Sequence, residues 1–284
     1  MTQQTPAAPA IYVALEGRAV VRVSGPDWRS FLQGLLTQDV DGLAEGELRY
    51  GALLTPQGRL LMDLFILGTE DGALLDVAAD RREDLIRRLT LYRLRAKATI
   101  QPDEAGVAVV FGGGRPGDGW RNDPRLPQMG CRGYGLSAPA AAAVGGISDY
   151  DAHRIALAVP DMADFGDDAT YPIEANLDLL NAIDFSKGCF VGQETTSRMK
   201  RRGQIKSRML PVVFDGAPPS GGSEILKGDL RAGEVRSAVE GAALALVRLD
   251  RIDGSLTCED RTVSVARPAW MDSLLAPKEP ISQA

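Results

Sequence analysis

Apolar and polar residues recur along the first half of the chain in two periods, near 2 and near 3.6. Residues 12–23 alternate loosely and predict one or two strands. Gly25-Pro26-Asp27 then opens a helix with proline at its first position. Trp28, Phe31, Leu32, Leu35 and Leu36 form its buried face, and Thr37-Gln38-Asp39 ends it. The runs 49–54 and 59–67 read as two strands joined by Thr55-Pro56-Gln57-Gly58, a type I turn by its proline and glycine. As a plain hairpin this unit would carry Asp63 on its wet face. After a short strand over 74–77, Asp80 and Glu83 are spaced as a capping box for a helix burying Leu85, Ile86 and Leu89. Tyr92, Leu94, Ala96, Ala98 and Ile100 alternate with Arg93, Arg95, Lys97 and Thr99, the pattern of a half-exposed strand with its cations in water.

Residues 107–111 predict a strand, followed by Gly112-Gly113-Gly114-Arg115-Pro116-Gly117. A dinucleotide fingerprint must open a helix, and Pro116, Gly117, Gly119 and Pro124 forbid one, so this run is a loop. Helices are expected over the alanine-rich 137–144, over 148–156 with Ser148 and Asp151 as its cap, and over 176–184. An acidic loop at 161–171 separates the last two. Beyond Arg208 the pattern changes to short β-rich runs (209–214, 233–237, 242–249, 262–266) between Gly/Pro clusters, which predicts a small antiparallel barrel or sandwich. The expected organisation is an α+β body over 11–207 and a β domain over 208–271, with disordered tails at 1–10 and 272–284. Residues 1–10 lack the basic start and apolar core of a signal peptide.

Composition narrows the class. A chain of 284 residues that is 44% hydrophobic and 25% charged suits a globular protein with two or three domains. Its longest apolar run, 60–67, is broken by Asp63 and is too short to cross a bilayer, so no membrane partner is expected. The net charge of −6 argues against general nucleic-acid binding. Cys131, Cys189 and Cys258 are sparse, odd in number and without a Cys-x-x-Cys pair, which excludes a zinc ribbon and points to a reducing compartment, expected to be the cytoplasm. The single histidine, His153, rules out a multi-histidine metal site, and no resident metal is expected.

One stretch reverses the acidic balance. From Lys187 to Arg208 there are seven basic residues and one acid, Glu194. At its head, Lys187-Gly188-Cys189-Phe190-Val191-Gly192-Gln193-Glu194 sets one thiol between two glycines. Nearby cations favour a reactive thiolate; Lys187 is the nearest candidate, with Arg198 behind it. Gly188 and Gly192 permit close approach of backbone to a ligand, and Gln193 and Glu194 add donors and acceptors suited to a planar polar heterocycle. The plain alternative is a buried structural cysteine beside a solvated charged face.

These eight residues, with Thr195-Thr196-Ser197-Arg198-Met199 after them, resemble the signature of the YgfZ family, folate-binding relatives of the glycine-cleavage T-protein (an aminomethyltransferase). Residues 51–59, the segment ending in Thr37-Gln38-Asp39 and Asp123-Pro124-Arg125 are similar to that family too, so the resemblance spans roughly residues 11–270. It implies a three-lobed fold of two interleaved ferredoxin-like subdomains and a C-terminal β-barrel around a folate cleft. It further implies tetrahydrofolate as cofactor and a role in assembling or repairing iron–sulfur proteins, including enzymes that modify tRNA.

On this resemblance Cys189 and Lys187 are the candidate reactive residues, and Glu174, Gly188, Gln193, Glu194 and Arg198 the candidate folate contacts. Glu174 would accept N–H bonds from the pterin edge; by position alone it also suits a helix N-terminal acid. The partners implied are folate and iron–sulfur client or assembly proteins. A tRNA contact through 198–208 stays open, although no aromatic residues interleave those cations. The alternative function is a true aminomethyltransferase. That enzyme relies on an aspartate near the folate one-carbon position, and none of Asp76, Asp80 and Asp84 aligns with it convincingly.

Overall fold

A computed structural model describes residues 9–113, 116–166, 169–203 and 205–272. The expected disordered tails therefore lie almost wholly outside the described residues, as do Gly114 and Arg115 of the glycine run. The chain begins with β1 (Ile11–Ala14), β2 (Arg18–Ser24) and α1 (Trp28–Gln33). A meander follows: β3 (Leu48–Leu54), β4 (Leu60–Thr69) and β5 (Gly72–Ala78). Next come α2 (Arg82–Arg93), β6 (Thr99–Asp103), β7 (Val107–Phe111), β8 (Arg121–Asn122), β9 (Cys131–Tyr134) and β10 (Ala143–Val144). Helices α3 (Ile147–Ala156), α4 (Met162–Phe165) and α5 (Gln193–Arg202) lead to the last strands. These are β11 (Ser207–Val213), β12 (Glu224–Lys227), β13 (Leu230–Val239), β14 (Ala242–Arg248), β15 (Leu256–Cys258) and β16 (Arg261–Val265).

Two five-stranded sheets interleave in sequence. One has the order β10-β1-β7-β9-β8 and the other β3-β4-β5-β2-β6, so β2 to β6 form a complete sheet between β1 and its neighbour β7. The remaining six strands close into an antiparallel barrel, β11-β14-β13-β12-β15-β16. The α+β class and the barrel expected from the sequence are what the structure has. Tyr50, Phe65, Val109, Phe111, Tyr150 and Phe165 belong to one core that also takes in Met209 and Leu244 of the barrel. Arg208 of β11 fixes the barrel to the body through two 2.9 Å bonds to the Asp178 carboxylate and one of 2.8 Å to the Ile173 carbonyl.

Several local expectations give way to tertiary contacts. Pro26 lies ahead of α1, because Asp27 takes the cap position and its carboxylate receives the Lys97 amide at 2.7 Å. Asp80 sits in a 3-10 turn, and α2 begins after Arg81 with no side-chain cap. The alternating run 92–100 is no strand: α2 continues through Arg93 and β6 starts only at Thr99. The alanine-rich 137–144 forms a turn and then β10, since the open edge of β1 offers its carbonyls (Ala143 N to Ala10 O, 2.8 Å). Helix α3 is capped not by Ser148 but at Gly146, whose amide meets Asp149 Oδ2 at 2.8 Å. The acidic loop contains α4, capped by Asp161. Residues 176–184 make successive turns rather than a helix, because Asn176 and Asn181 hold φ +61° and +57°.

Candidate functional site

Cys189 is exposed, on the loop that enters α5, whereas Cys131 and Cys258 are buried in β9 and β15. The loop is held by backbone on both sides of the thiol. Asp184 N donates to Thr37 O (3.0 Å) and Val191 N to Gly34 O (3.2 Å). Thr37 Oγ1 donates to Ala182 O at 2.6 Å while accepting the Ala52 amide at 2.8 Å. Phe190 is buried in the main core directly beside the exposed sulfur's residue.

Lys187 is engaged by backbone in this geometry. Its ammonium donates to the carbonyls of Gln33, Leu36 and Gln38 at 2.9, 2.7 and 2.8 Å, closing the C-terminal end of α1. Partial burial pulls its amine down to about 8, against the pull of Asp39, Asp184 and Asp41. The lysine of the motif thus joins the cysteine loop to α1.

Gly192 explains the second glycine. It has φ +82°, and a Cβ there would lie 2.6 Å from Thr55 O and 2.9 Å from Leu54 Cβ. The 51–59 hairpin turn and the cysteine motif therefore pack backbone to backbone. The turn is as expected, with Gly58 N bonded to Thr55 O at 2.8 Å. Gly188 is different: a Cβ there would meet nothing within 4 Å, so the space beside Cys189 is open.

Gln193 and Glu194 start α5. Glu194 pairs with Arg198 one turn on, and both side chains are exposed, so two candidate folate contacts are partnered with each other. Phe185, Gln193, Glu194, Ser197, Lys200 and Arg201 line a groove of about 530 Å³, where Lys200 Nζ lies 4.2 Å from the Phe185 ring centre. Of the seven cations from 187 to 208, Lys187 and Arg208 hold the fold; the exposed ridge is Arg198 to Lys206.

A second polar centre lies at the meeting of the sheets and was not expected from the sequence. Asp63 is fully buried, which corrects its placement on a wet hairpin face: the outer face of β4 is covered and Arg18 supplies its counter-charge. Arg18 also bonds Asp76 at 2.7 Å and Asp161 at 3.3 Å. Asp76 further receives Arg132 (2.7 Å) and Tyr134 (3.2 Å), and Tyr50 reaches Asp63 at 3.3 Å. Arg125 binds Asp123 through two nitrogens (2.9 and 2.7 Å) and Tyr150 at 2.9 Å. The Arg132 and Arg125 guanidinium carbons lie 3.7 and 4.8 Å from the Phe65 ring centre. Burial pushes the Asp63 carboxyl up despite Arg18. Burial also opposes the charge on Asp161, but Arg18 and Arg154 outweigh it and hold that carboxyl well below its usual range.

A cavity of about 390 Å³ opens onto this centre, lined by Arg18, Tyr150, Asp161 and Met162 among others. Asp161 Oδ1 accepts Arg18 and the Met162 amide, and the carboxylate caps α4 in a capping box with Asp164. Glu174 does not line this cavity; it is half-buried and its carboxylate receives the Tyr171 amide at 3.0 Å. His153 stacks on Phe111 (4.4 Å) and bonds the Gln128 carbonyl at 2.9 Å, a packing role. The structure thus gathers Lys187, Gly188, Cys189, Gln193, Glu194 and Arg198 into one region and leaves Glu174 in another turn. The buried centre escaped the sequence because its charges come from separate strands; the available signal was a lone aspartate, Asp63, inside an apolar run.

Two interleaved sheets followed by a closed barrel define the aminomethyltransferase-like, or T-protein-like, fold. The crystal structure of the glycine-cleavage aminomethyltransferase T from Bartonella henselae superposes with a TM-score of 0.74 at 16% identity, covering 93% of this chain and 87% of that one. Residues 206–273 match the model of the CAF17 C-terminal beta-barrel domain. The chain is 32% identical to the human mitochondrial iron–sulfur cluster assembly factor IBA57 over 85% of its length and 78% of that protein's. The mouse IBA57 is 31% identical (90% and 84%), and the IBA57 homolog of Coccidioides immitis 31% (89% and 75%). The chain belongs to the IBA57 family of iron–sulfur cluster assembly factors. These relatives are mitochondrial proteins, which overturns the cytoplasmic placement expected from the sequence. Sparse free thiols mark a reducing environment and carry no address.

Proposed function

We propose that the protein is an accessory factor in the assembly or repair of iron–sulfur proteins, presenting Cys189 to a client or carrier and holding a tetrahydrofolate between its lobes. The observation that carries the reading is an exposed thiol on a loop whose flanks are fixed by two other segments, residues 33–38 and the turn at 54–58. Such a sulfur is accessible to a partner and pre-positioned, so little ordering entropy is lost on docking. It is one sulfur, with the other two cysteines buried elsewhere, which suits a factor that works on a partner's cluster. The name borne by the relatives supports this class, and the YgfZ-like motif supports the narrower link to folate.

The cavity beside Asp161 supports the choice of a pterin as its occupant. Its volume of about 390 Å³ lies in the range of small-molecule sites. Asp161 brings a partly exposed carboxylate to the cavity wall, an acceptor for an amino-pyrimidine N–H, and Tyr150 and Arg18 add polar edges. Calorimetry with tetrahydrofolate on the wild type, Asp161→Asn and Glu174→Gln tests this. Binding by the wild type, weakened about tenfold or more in Asp161→Asn and kept in Glu174→Gln, is expected. A wild type that takes up no tetrahydrofolate removes the folate half. The thiol is tested by complementation in cells lacking their own homologue, where Cys189→Ala is expected to leave iron–sulfur enzymes inactive; full rescue removes its role.

A further inference from the structure

Among the described residues the end of α2 carries the densest group of exposed large apolar side chains; Val144, Ile147, Val213 and Leu230 are the others. Leu91, Tyr92 and Leu94 are 65%, 41% and 89% exposed, three large apolar side chains within four residues. Between residues 85 and 102 there are five cations and no acid. Arg87 and Arg88 share Asp84, but among the described residues the Arg95 and Lys97 side chains make no hydrogen bond or ion pair, and both are exposed. Arg93 alone of the tip's three cations reaches back, to the Ala98 carbonyl at 3.3 Å.

The backbone adds an independent observation. Leu94 has φ +42° and ψ −101° in a turn closed by Ala96 N and Arg93 O at 2.7 Å. That is position i+1 of a type II′ turn, where glycine is the usual residue. A leucine there is strained, and strain of this kind marks functional sites. The strain holds the most exposed leucine of the described residues in one fixed direction.

We propose that the tip at residues 91–97 is a docking knob for a protein partner offering an apolar pocket ringed by carboxylates. The apolar pair Leu91 and Leu94 is the anchor and Arg95 and Lys97 are the rim, the arrangement that gives an interface its affinity at the centre and its selection at the edge. Two observations favour a protein over an anionic membrane. The chain as a whole carries −6, so a charged bilayer repels it while a small partner surface feels only the local cations. A fluid bilayer also gains nothing from a leucine fixed in direction, whereas a pocket does.

The test places the photo-crosslinker p-benzoylphenylalanine in the full chain at Leu94, or at Asp229 on the barrel as a control, in cells lacking their own homologue. An adduct is expected at 94 and not at 229, mapping to another protein's segment that mixes apolar residues with Asp and Glu. Arg95→Glu with Lys97→Glu is expected to lower its yield about tenfold. Leu94→Gly separates docking from folding. Glycine relieves the turn, so the melting temperature should hold or rise, while an adduct formed from a crosslinker at Leu91 should be lost. An adduct with a second copy of this chain overturns the proposal, as does its absence at 94 or full retention in Leu94→Gly. Flotation of the purified chain on phosphatidylcholine vesicles containing a quarter phosphatidylglycerol, abolished by Leu94→Gly, would assign the tip to a lipid surface instead.

Discussion

Gly58 and Gly192 meet backbone to backbone: a Cβ on Gly192 would lie 3.0 Å from Gly58 Cα, and one on Gly58 would lie 2.8 Å from Thr195 Cβ. Two segments more than a hundred residues apart thus touch where neither tolerates a side chain, and the exposed thiol sits three residues from the contact. The glycine pair sets where Cys189 stands.

Gly192→Ala is accordingly expected to cost about 2–4 kcal/mol, from a left-handed backbone and an unyielding carbonyl at 2.6 Å. Gly188→Ala, with open space around it, is expected to stay within about 0.5 kcal/mol. Urea unfolding of both variants checks the contrast; equal losses would show that the loop is not seated on the hairpin.

Lys187→Met removes three charged hydrogen bonds from the end of α1 and is expected to cost about 2–3 kcal/mol. The loss should be local. Amide exchange at Asp184 and Val191, which bond Thr37 and Gly34, should speed up while the barrel strands keep their protection.

Arg18→Met leaves Asp63 buried without its cation and Asp76 with Arg132 as its remaining cation, a change that should cost about 3–5 kcal/mol. Because Asp63 is already pushed towards its neutral form by burial, the variant is expected to recover part of that loss in mild acid. Unfolding free energies at two pH values read this directly; no pH dependence of the difference would contradict it.

Acid should also expose the Asp123–Arg125 pair. Burial works against the Asp123 charge, and Arg125 outweighs it and holds the carboxyl below its usual 3.8. A carboxyl lowered on folding contributes stability above its unfolded value and loses it as the pH falls through the folded one. The advantage of the wild type over Asp123→Asn is therefore expected to shrink below about pH 3.8 and vanish in stronger acid.

Much of this was legible in the residues. The hairpin at 55–58, the buried face of α1 and the β character after Arg208 follow from periodicity and turn chemistry, which act over a few residues. The cysteine motif could be recognised because its residues are contiguous. Less legible was the role of each member. Lys187 reads as a cation poised to activate a thiol, yet its partners are carbonyls some 150 residues earlier. The expected helices at 137–144 and 176–184 failed for a related reason, since a free strand edge and two asparagines in the left-handed region override local propensity.

The sequence alone determined the period of most elements, the change of character at the barrel and the singular place of Cys189, because these depend on neighbours along the chain. Only the tertiary structure decided which charges are buried, which glycine is obligatory and which leucines face water. Burial and close approach are set by segments far apart in sequence, and no local pattern encodes the distance between them.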